Sequence, residues 1–430
     1  MDYRAPKGTV DMLPDAASEW ERISGIAQDI FWRYGYEPVY TPLFEHTEVF
    51  SRGIGEATDI VSKEMYTFLD RSDPPNSLTL RPEGTASVVR AAIQHNLVPP
   101  GVAAKLYYMG PMFRYERPQK GRMRQFWQVG AEILGAPEPT ADAEAIALMW
   151  RFFQDAGIPA ESMRLLINSM GDEECRPAYR ELQAGFIVQN ASRLCEECSR
   201  RAQTNPLRAF DCKNPACVEV MAEAPLLRDQ LCGACADHYS AVKGHLDTLA
   251  IPYQEAPRLV RGLDYYTRTV FEVQVDAGLG SQNAIGGGGR YDRLFEQFGG
   301  KSTPGLGFAV GFERMMLALQ ATGANPPAEP RIQVFVARVD ATVAGEVFSA
   351  TQRLRDAGFA AEMDHLGRSL KAQFKYADKL GAPLVVVVGP EEIAAGEVTL
   401  RRMDTKQESR VALTELVEAV WESYSPEERV

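Results

Sequence analysis

Residues 105–134, KLYYMGPMFRYERPQKGRMRQFWQVGAEIL, decide how the chain folds. Two aromatic, β-prone runs, 105–115 and 124–134, flank the polar, glycine-containing turn ERPQKGR, and that pattern predicts an antiparallel hairpin. Arg114, Glu116, Arg117, Lys120, Arg122 and Arg124 fall within eleven positions around the turn, and paired strands would aim several of them into one space. Arginine suits polyphosphate because its planar fork makes paired, charge-assisted hydrogen bonds. A charge run by itself is ordinarily a solvated loop. The aromatic strands on both sides, and the acid Glu132 facing the same hairpin, weigh against that reading.

N-terminal to the hairpin, residues 16–34 carry Trp20, Ile23, Ala27, Ile30, Phe31 and Tyr34 at helical spacing, which predicts an amphipathic helix with Asp15 as its N-cap. Gly35 stops it. The extended run 36–43 (YEPVYTPL) holds two prolines, so Pro42 belongs at an edge or an interface. On the C-terminal side, residues 259–276 continue the strand theme, with Phe271, Val273 and Val275 on one face and Glu272, Gln274 and Asp276 on the other. Antiparallel pairs surrounded by long helices make the fold α+β. From about Cys175 to His245 the chain is helical in tendency and rich in charge and cysteine, which reads as an insertion. After a linker over 324–330 (ANPPAEP) the pattern resets. Strands at 332–337, 359–363 and 384–388 alternate with helices at 341–356 and 369–380, and that alternation predicts a separate α/β domain over 331–430, after a first domain over 1–325.

A length of 430 residues is too much for one ordinary core, and two or three domains are expected. A content of 45% apolar and 24% charged residues fits a soluble globular protein. The opening MDYRAPKGTV lacks the apolar core of a signal peptide, and no apolar run approaches the ~18 residues of a membrane span; the expectation is a cytoplasmic protein without a membrane partner. A net charge of −12 argues against indiscriminate coating of nucleic acid, DNA included, and leaves room for an RNA held by local basic patches. Seven cysteines, an odd number without a secretion signal, fit a reducing compartment with free or metal-bound thiols.

Four further stretches carry candidate chemistry. Residues 286–292 (GGGGRYD) lack the spacing of a phosphate loop or a dinucleotide fingerprint; taken alone they read as a flexible turn, although four glycines also let backbone approach backbone or ligand. Residues 305–319 (GLGFAVGFERMMLAL) read as a small-residue strand running into an apolar helix with Arg314 on its first turn, where a cation opposes the helix dipole unless an anion sits nearby. In residues 79–85 (TLRPEGT), Glu83 is expected to be exposed at a turn, able to hold an ammonium group or to cap the helix over 86–95. Last, the pairs Cys195/Cys198 and Cys232/Cys235 could together form one tetrahedral zinc site that staples the insertion. The same thiols could be simply buried or reactive, and Cys212/Cys217 leaves the ligand choice open.

Taken together these stretches resemble the histidyl-tRNA synthetases, a family of class II aminoacyl-tRNA synthetases, over nearly the whole chain. The opening helix and the extended segment ending at Pro42 match the first class signature, which implies a homodimer interface; residues 113–116 through 128–132 match the second and 307–314 (GFAVGFER) the third. The motifs 261–266 (RGLDYY) and 288–292 (GGRYD) are those of the histidine enzyme. The resemblance implies that Arg261 reaches the α-phosphate and the histidine carboxylate, and that Tyr265, Tyr266 and Tyr291, with Glu132, line the histidine pocket. It implies that Glu83, Thr85 and Gln128 hold the α-ammonium, and that Arg114, Arg122, Glu132 and Arg314 meet ATP. It makes the 331–430 domain an anticodon-binding module. The partners it implies are histidine, ATP with Mg²⁺, and tRNA(His). It carries over no zinc and no editing domain. The rival it leaves is a paralogue that keeps the catalytic fold as a histidine-sensing regulatory subunit, which is expected to lack the C-terminal domain.

Overall fold

The computed structural model describes residues 3–55, 58–275, 283–324 and 331–424, and contacts divide the chain into a unit over 1–325 and a unit over 326–430. Strands of the first unit are β1 (Glu37–Pro38), β2 (Phe44–His46), β3 (Tyr66–Leu69), β4 (Ser77–Leu80), β5 (Ala104–Phe113), β6 (Gln125–Leu134), β7 (Met163–Ser169), β8 (Gln254–Glu255), β9 (Thr267–Val275), β10 (Ala284–Arg290) and β11 (Gly305–Gly311). Eight of them form one sheet in the order β1-β5-β6-β11-β10-β9-β7-β8. It is antiparallel through its middle and parallel only where β1 meets β5 and β7 meets β8. A small antiparallel sheet, β2-β4-β3, stands apart from it.

The predicted hairpin is β5 with β6, paired in unbroken register from Ala104 opposite Leu134 to Phe113 opposite Gln125. β11 then runs alongside β6, so the hairpin and the helix Phe312–Thr322 that follows β11 share one end of the sheet. The opening helix, Pro14–Arg33, buries Trp20, Ile23, Ala27, Ile30 and Phe31. Phe31 stacks on Tyr107 of β5 with ring centres 4.6 Å apart, and full burial of such a side chain contributes roughly 1.5–3 kcal/mol. Asp15 is not the N-cap. Pro14 begins the helix with Leu13 before it, and Asp15 sits in the first turn, where a carboxylate favours the dipole.

Two further sequence expectations need correcting. Residues 286–290 are no turn but the central strand β10, hydrogen-bonded to β9 on one side and β11 on the other. The glycines are there for space: a Cβ on Gly288 would lie 1.9 Å from the Gly307 carbonyl oxygen, and one on Gly287 would lie 2.9 Å from Nη1 of Arg261. The strand predicted over 259–276 begins only at Thr267. Residues 259–266 leave the sheet, and their backbone groups bond elsewhere: the Leu259 carbonyl accepts from Asn168 Nδ2 at 2.9 Å and the Gly262 carbonyl from Arg208 Nη2 at 2.6 Å. Asp276 lies outside the described residues.

The insertion is helical, with Arg176–Gln189, Glu196–Thr204, Pro215–Met221 and Gly233–Thr248 as its helices. All seven cysteines are unbridged. The two Cys-x-x-Cys pairs do not come together. Cys195 and Cys198 gather with Cys212 and Cys217, while Cys232 and Cys235 gather with Cys175 and Asp172.

In the second unit β12 (Val334–Arg338), β13 (Ala361–Met363), β14 (Leu384–Val388), β15 (Glu397–Arg402) and β16 (Glu408–Ala412) form a sheet in the order β13-β12-β14-β15-β16. The first three are parallel, connected through Ala344–Asp356 and Leu370–Lys379 as the alternation predicted, and β15 and β16 add an antiparallel edge. The whole is α+β, as expected. The predicted linker falls mostly on 325–330, outside the described residues. Among the described residues no helix is long and apolar enough to cross a membrane.

Candidate active site

A cleft opens over the middle of the eight-stranded sheet, and all the predicted site residues except Glu132 and Tyr291 line it. One end is built from guanidinium groups. Arg114 donates from Nε to the Pro82 carbonyl at 2.9 Å and lies 5.2 Å from the centre of the Phe126 ring. Arg122 places Nη1 3.1 Å from Oε2 of Glu116. Arg314, on the first turn of its helix as predicted, donates from Nε to the Gly121 carbonyl at 3.3 Å and from Nη1 to the Ala284 carbonyl at 3.2 Å. Burial, reinforced by the nearby Arg122 and Arg114, lowers the pKa of Arg314. Arginine keeps its proton all the same, so this end is a desolvated concentration of positive charge that an anion relieves.

The other end is made of carboxylates, amides and phenols. Glu83 is buried, not exposed. Its Oε2 accepts from the Thr85 amide and its Oε1 from the Ala86 amide, both at 2.8 Å, so it caps the helix Thr85–Gln94 from inside the cleft. Burial raises its pKa, and those two amides oppose the rise. Tyr265 donates its hydroxyl to Glu83 at 3.5 Å, and its ring meets Tyr266 at 4.7 Å. Gln128 brings Oε1 into the cleft, buried and without a hydrogen-bond partner among the described residues. Such an orphan acceptor costs about 1–3 kcal/mol unless a ligand satisfies it.

Glu132 and Tyr291 stand behind this wall. The Tyr291 hydroxyl donates to Glu132 Oε2 at 2.5 Å and the Thr85 hydroxyl to Oε1 at 2.6 Å, so Glu132 reaches the cleft through Thr85. Burial pushes the Glu132 carboxyl up to about 8 against the pull of those hydroxyls. Both Glu132 oxygens are engaged by hydroxyls in the layer beneath the cleft wall. Tyr291 is fixed by its neighbours: Arg290, fully buried, places Nη2 2.7 Å from Asp142, donates from Nη1 to Asp292 at 3.2 Å, and shares Asp142 with His238.

Arg261 enters the cleft from the 259–266 segment and donates from Nη1 to Glu272 of β9, whose other oxygen accepts from Gln274 Nε2 at 2.8 Å. Burial works against the charge on Arg261, but Glu272 together with Tyr266 and Tyr265 outweighs it and the pKa is raised. Glu272 was missed as a site residue. Its signal was available: it is an acid on the polar face of β9, directly opposite Gly287 of the glycine strand.

An antiparallel sheet of this order, with one arginine on the loop of its long hairpin and another at the start of the helix after its last strand, defines a class II aminoacyl-tRNA synthetase. A family model described as Histidyl-tRNA synthetase matches residues 8–315, and one described as Anticodon binding domain matches 333–423. The chain belongs to the histidyl-tRNA synthetase family. It is 48% identical over 420 residues to the histidine–tRNA ligase of Anaeromyxobacter sp. strain K, covering 98% of this chain and 100% of that one. With the histidine–tRNA ligase of Moorella thermoacetica it shares 47% identity over 413 residues, 96% of either chain. The apo histidyl-tRNA synthetase structure from S. aureus superposes with a TM-score of 0.82 at 36% identity, covering 97% of this chain and 99% of that one. The regulatory-paralogue reading is not favoured, because the C-terminal module such a paralogue is expected to lack is matched here.

Proposed function

We propose that the cleft joins histidine to ATP, giving histidyl-adenylate and pyrophosphate, and then passes the histidyl group to the 3′ end of tRNA(His). What carries this reading is the convergence of Arg114 and Arg122 of the hairpin, Arg261 and Arg314, from three distant parts of the chain, on one cleft that also holds the orphan acceptor of Gln128.

In the first step a carboxylate oxygen of histidine attacks the α-phosphorus, and the bond from that phosphorus to the bridging oxygen breaks as pyrophosphate leaves. The nucleophile is already ionised, so no general base is needed. In-line placement and neutralisation of charge growing on the phosphate are needed, and Arg114 and Arg261 supply them, each worth about 3 kcal/mol in a desolvated site. Arg122 and Arg314 hold the outer phosphates. Mg²⁺ would arrive with ATP; Glu116 and Glu272 offer it hard carboxylate oxygens, and it supplies neutralisation of the phosphate charge. Gln128, Glu83 and Thr85 receive the α-ammonium. Tyr265 and Tyr266 form the polar wall around the imidazole, backed by the Tyr291–Glu132 pair, and a wall left unpaired by an apolar side chain discriminates by ~10⁴ without editing. The ribose hydroxyl at the tRNA terminus then displaces AMP from the acyl carbon.

Residues 1–325 form the catalytic domain with its insertion at about 175–245, and 331–430 the anticodon-binding domain. A homodimer is supported by the exposed apolar side chains Trp32, Tyr40, Leu43, Phe44, Phe68 and Leu69, clustered on the opening helix, the segment after it and the small sheet. The working compartment is the cytoplasm, where tRNA, ATP and reduced thiols coexist. The direct test is ATP–pyrophosphate exchange with each of the twenty amino acids: histidine alone should respond, and exchange driven by another amino acid would overturn the assignment.

A further inference from the structure

Every cysteine of the chain belongs to one of two four-donor clusters in or at the root of the insertion. We propose that these clusters bind two zinc ions, one held by Cys195, Cys198, Cys212 and Cys217 and one by Asp172, Cys175, Cys232 and Cys235, and that together they brace the 261–266 loop.

The geometry is that of metal sites. Within each cluster all four donor atoms lie within 4.8 Å of one another. The sulfurs of Cys195 and Cys212 are 3.9 Å apart, and so are those of Cys175 and Cys235. A tetrahedron with Zn–S bonds of about 2.3 Å has edges of about 3.8 Å, whereas a disulfide needs sulfurs at about 2.05 Å. Four soft thiolates, or three and a carboxylate, in a closed tetrahedron select zinc among common divalent ions.

Supporting contacts orient the donors. In the first cluster the Cys195 amide donates to the Cys217 sulfur at 3.1 Å, and Cys198 and Cys217 are fully buried. In the second, the Asp172 amide donates to the Cys175 sulfur at 3.4 Å. Asp172 turns one oxygen to Arg268 Nη2 at 3.2 Å and the other toward the sulfurs of Cys175 and Cys232, each at 3.7 Å. Gly171, at φ +61°, brings the backbone so close that a Cβ would stand 2.6 Å from the Cys175 sulfur. The insertion also needs a staple. Among the described residues, the apolar side chains buried around the first cluster beside the cysteines are Ile187, Ala209, Met221 and Ala224, with Phe186, Leu194, Ala202 and Phe210 partly buried against them, and cores this small rarely hold short helices together unaided.

Both clusters connect to the loop. Cys212 follows the turn Pro206–Asp211, whose Arg208 donates to the Gly262 carbonyl at 2.6 Å and lies 3.2 Å from Asp264; Asn205 donates to the same carboxylate at 2.9 Å. Arg176, adjacent to Cys175, donates to the Tyr266 carbonyl at 2.8 Å. The metal assignment stands apart from the catalytic reading; only the effect on histidine binding rests on it.

The experiment is metal analysis of the full-length protein, expressed with zinc supplied and purified without chelator. About two zinc ions per chain are expected. Zinc below about 0.2 per chain, or iron in its place with thiolate-to-iron colour, would overturn the proposal. Titration of the native protein with an organomercurial should release that zinc, read with a metallochromic dye, as the thiols react; thiols that react with no zinc released would count against it. Cys217→Ser and Cys235→Ser should each lower the content to about one ion per chain. Where a serine variant fails to fold, Cys217→His, which keeps a zinc ligand, should restore soluble protein holding both ions. Cys235→Ser should raise the KM for histidine about tenfold while moving the KM for ATP less. An unchanged histidine KM in protein shown to have lost that ion would remove the bracing role.

Discussion

Arg261 and Glu272 form an ion pair inside the cleft, tying the segment that leaves the sheet to the polar face of β9. The pair keeps the guanidinium aimed before any substrate arrives, and it makes Arg261 both a structural and a chemical group. These roles separate by mutation. Arg261→Ala leaves Glu272 partly buried without its partner, which costs about 1–3 kcal/mol of stability, and it should lower ATP–pyrophosphate exchange by about 10²–10³. The double variant Arg261→Ala/Glu272→Gln should recover the melting temperature and none of the exchange. Recovery of exchange along with stability would show that Arg261 acts only as a prop.

The C-terminal unit has its own core around Val334, Val336, Leu354, Val386 and Leu416 and its own sheet. Removal of residues 331–430 should therefore leave ATP–pyrophosphate exchange within about threefold of the full chain, while charging of tRNA(His) falls by at least ~10² through loss of binding. Charging that survives the truncation would dispose of the anticodon-binding role.

Asp142 and Arg290 are both buried, and His238 completes the network. Burial alone would raise the Asp142 pKa, but His238 and Arg290 outweigh it and hold the carboxyl below its ordinary value. For a depressed carboxylate the contribution is present above the unfolded-state pKa and is lost as pH falls below it. Arg290→Met, which strands the buried Asp142 charge, should cost about 3–5 kcal/mol at neutral pH, seen as a lower denaturant midpoint. The double variant Asp142→Leu/Arg290→Met should regain most of that. A single variant as stable as the wild type would mean that the pair is not what anchors Tyr291.

The opening helix was legible from apolar residues at helical spacing, the hairpin from two aromatic, β-prone runs around a glycine-containing turn, and the parallel part of the C-terminal sheet from its alternation of strand and helix. The glycine strand was not: four consecutive glycines offer no side-chain alternation, and only the closeness of β9, β11 and Arg261 to that strand explains them. The segment 259–266 was misread for the opposite reason, because its β-prone composition says nothing about the Asn168 and Arg208 side chains that hold it away from the sheet. In the site, the arginines and Glu83 stood out as charges in unusual places. Gln128 emerged only through the family motif; Glu132 stood out as an acid facing the hairpin, and only its role came from the motif. Glu272 and the regrouping of the cysteines depend on which distant segments fold together, which spacing does not report.

Glu132 yields the last prediction, because its environment sets a pH dependence of definite sign. Its carboxyl titrates at about 8 in the fold against 4.5 for the free side chain, with burial as the cause and the Thr85 and Tyr291 hydroxyls opposing. A raised carboxyl binds its proton more tightly in the folded state, so its contribution to stability is complete below pH 4.5 and is lost as pH rises through about 8. The wild type should therefore lose a few kcal/mol from this group between about pH 5 and pH 8.5. Glu132→Gln cannot ionise, and it should flatten that part of the profile while lowering stability at acid pH, where its amide must replace a neutral carboxyl between two hydroxyls. Denaturant titrations of both proteins across that range decide the matter. Parallel profiles would mean that Glu132 is ionised at neutral pH and presents a full negative charge behind Thr85, where the α-ammonium of histidine would feel it.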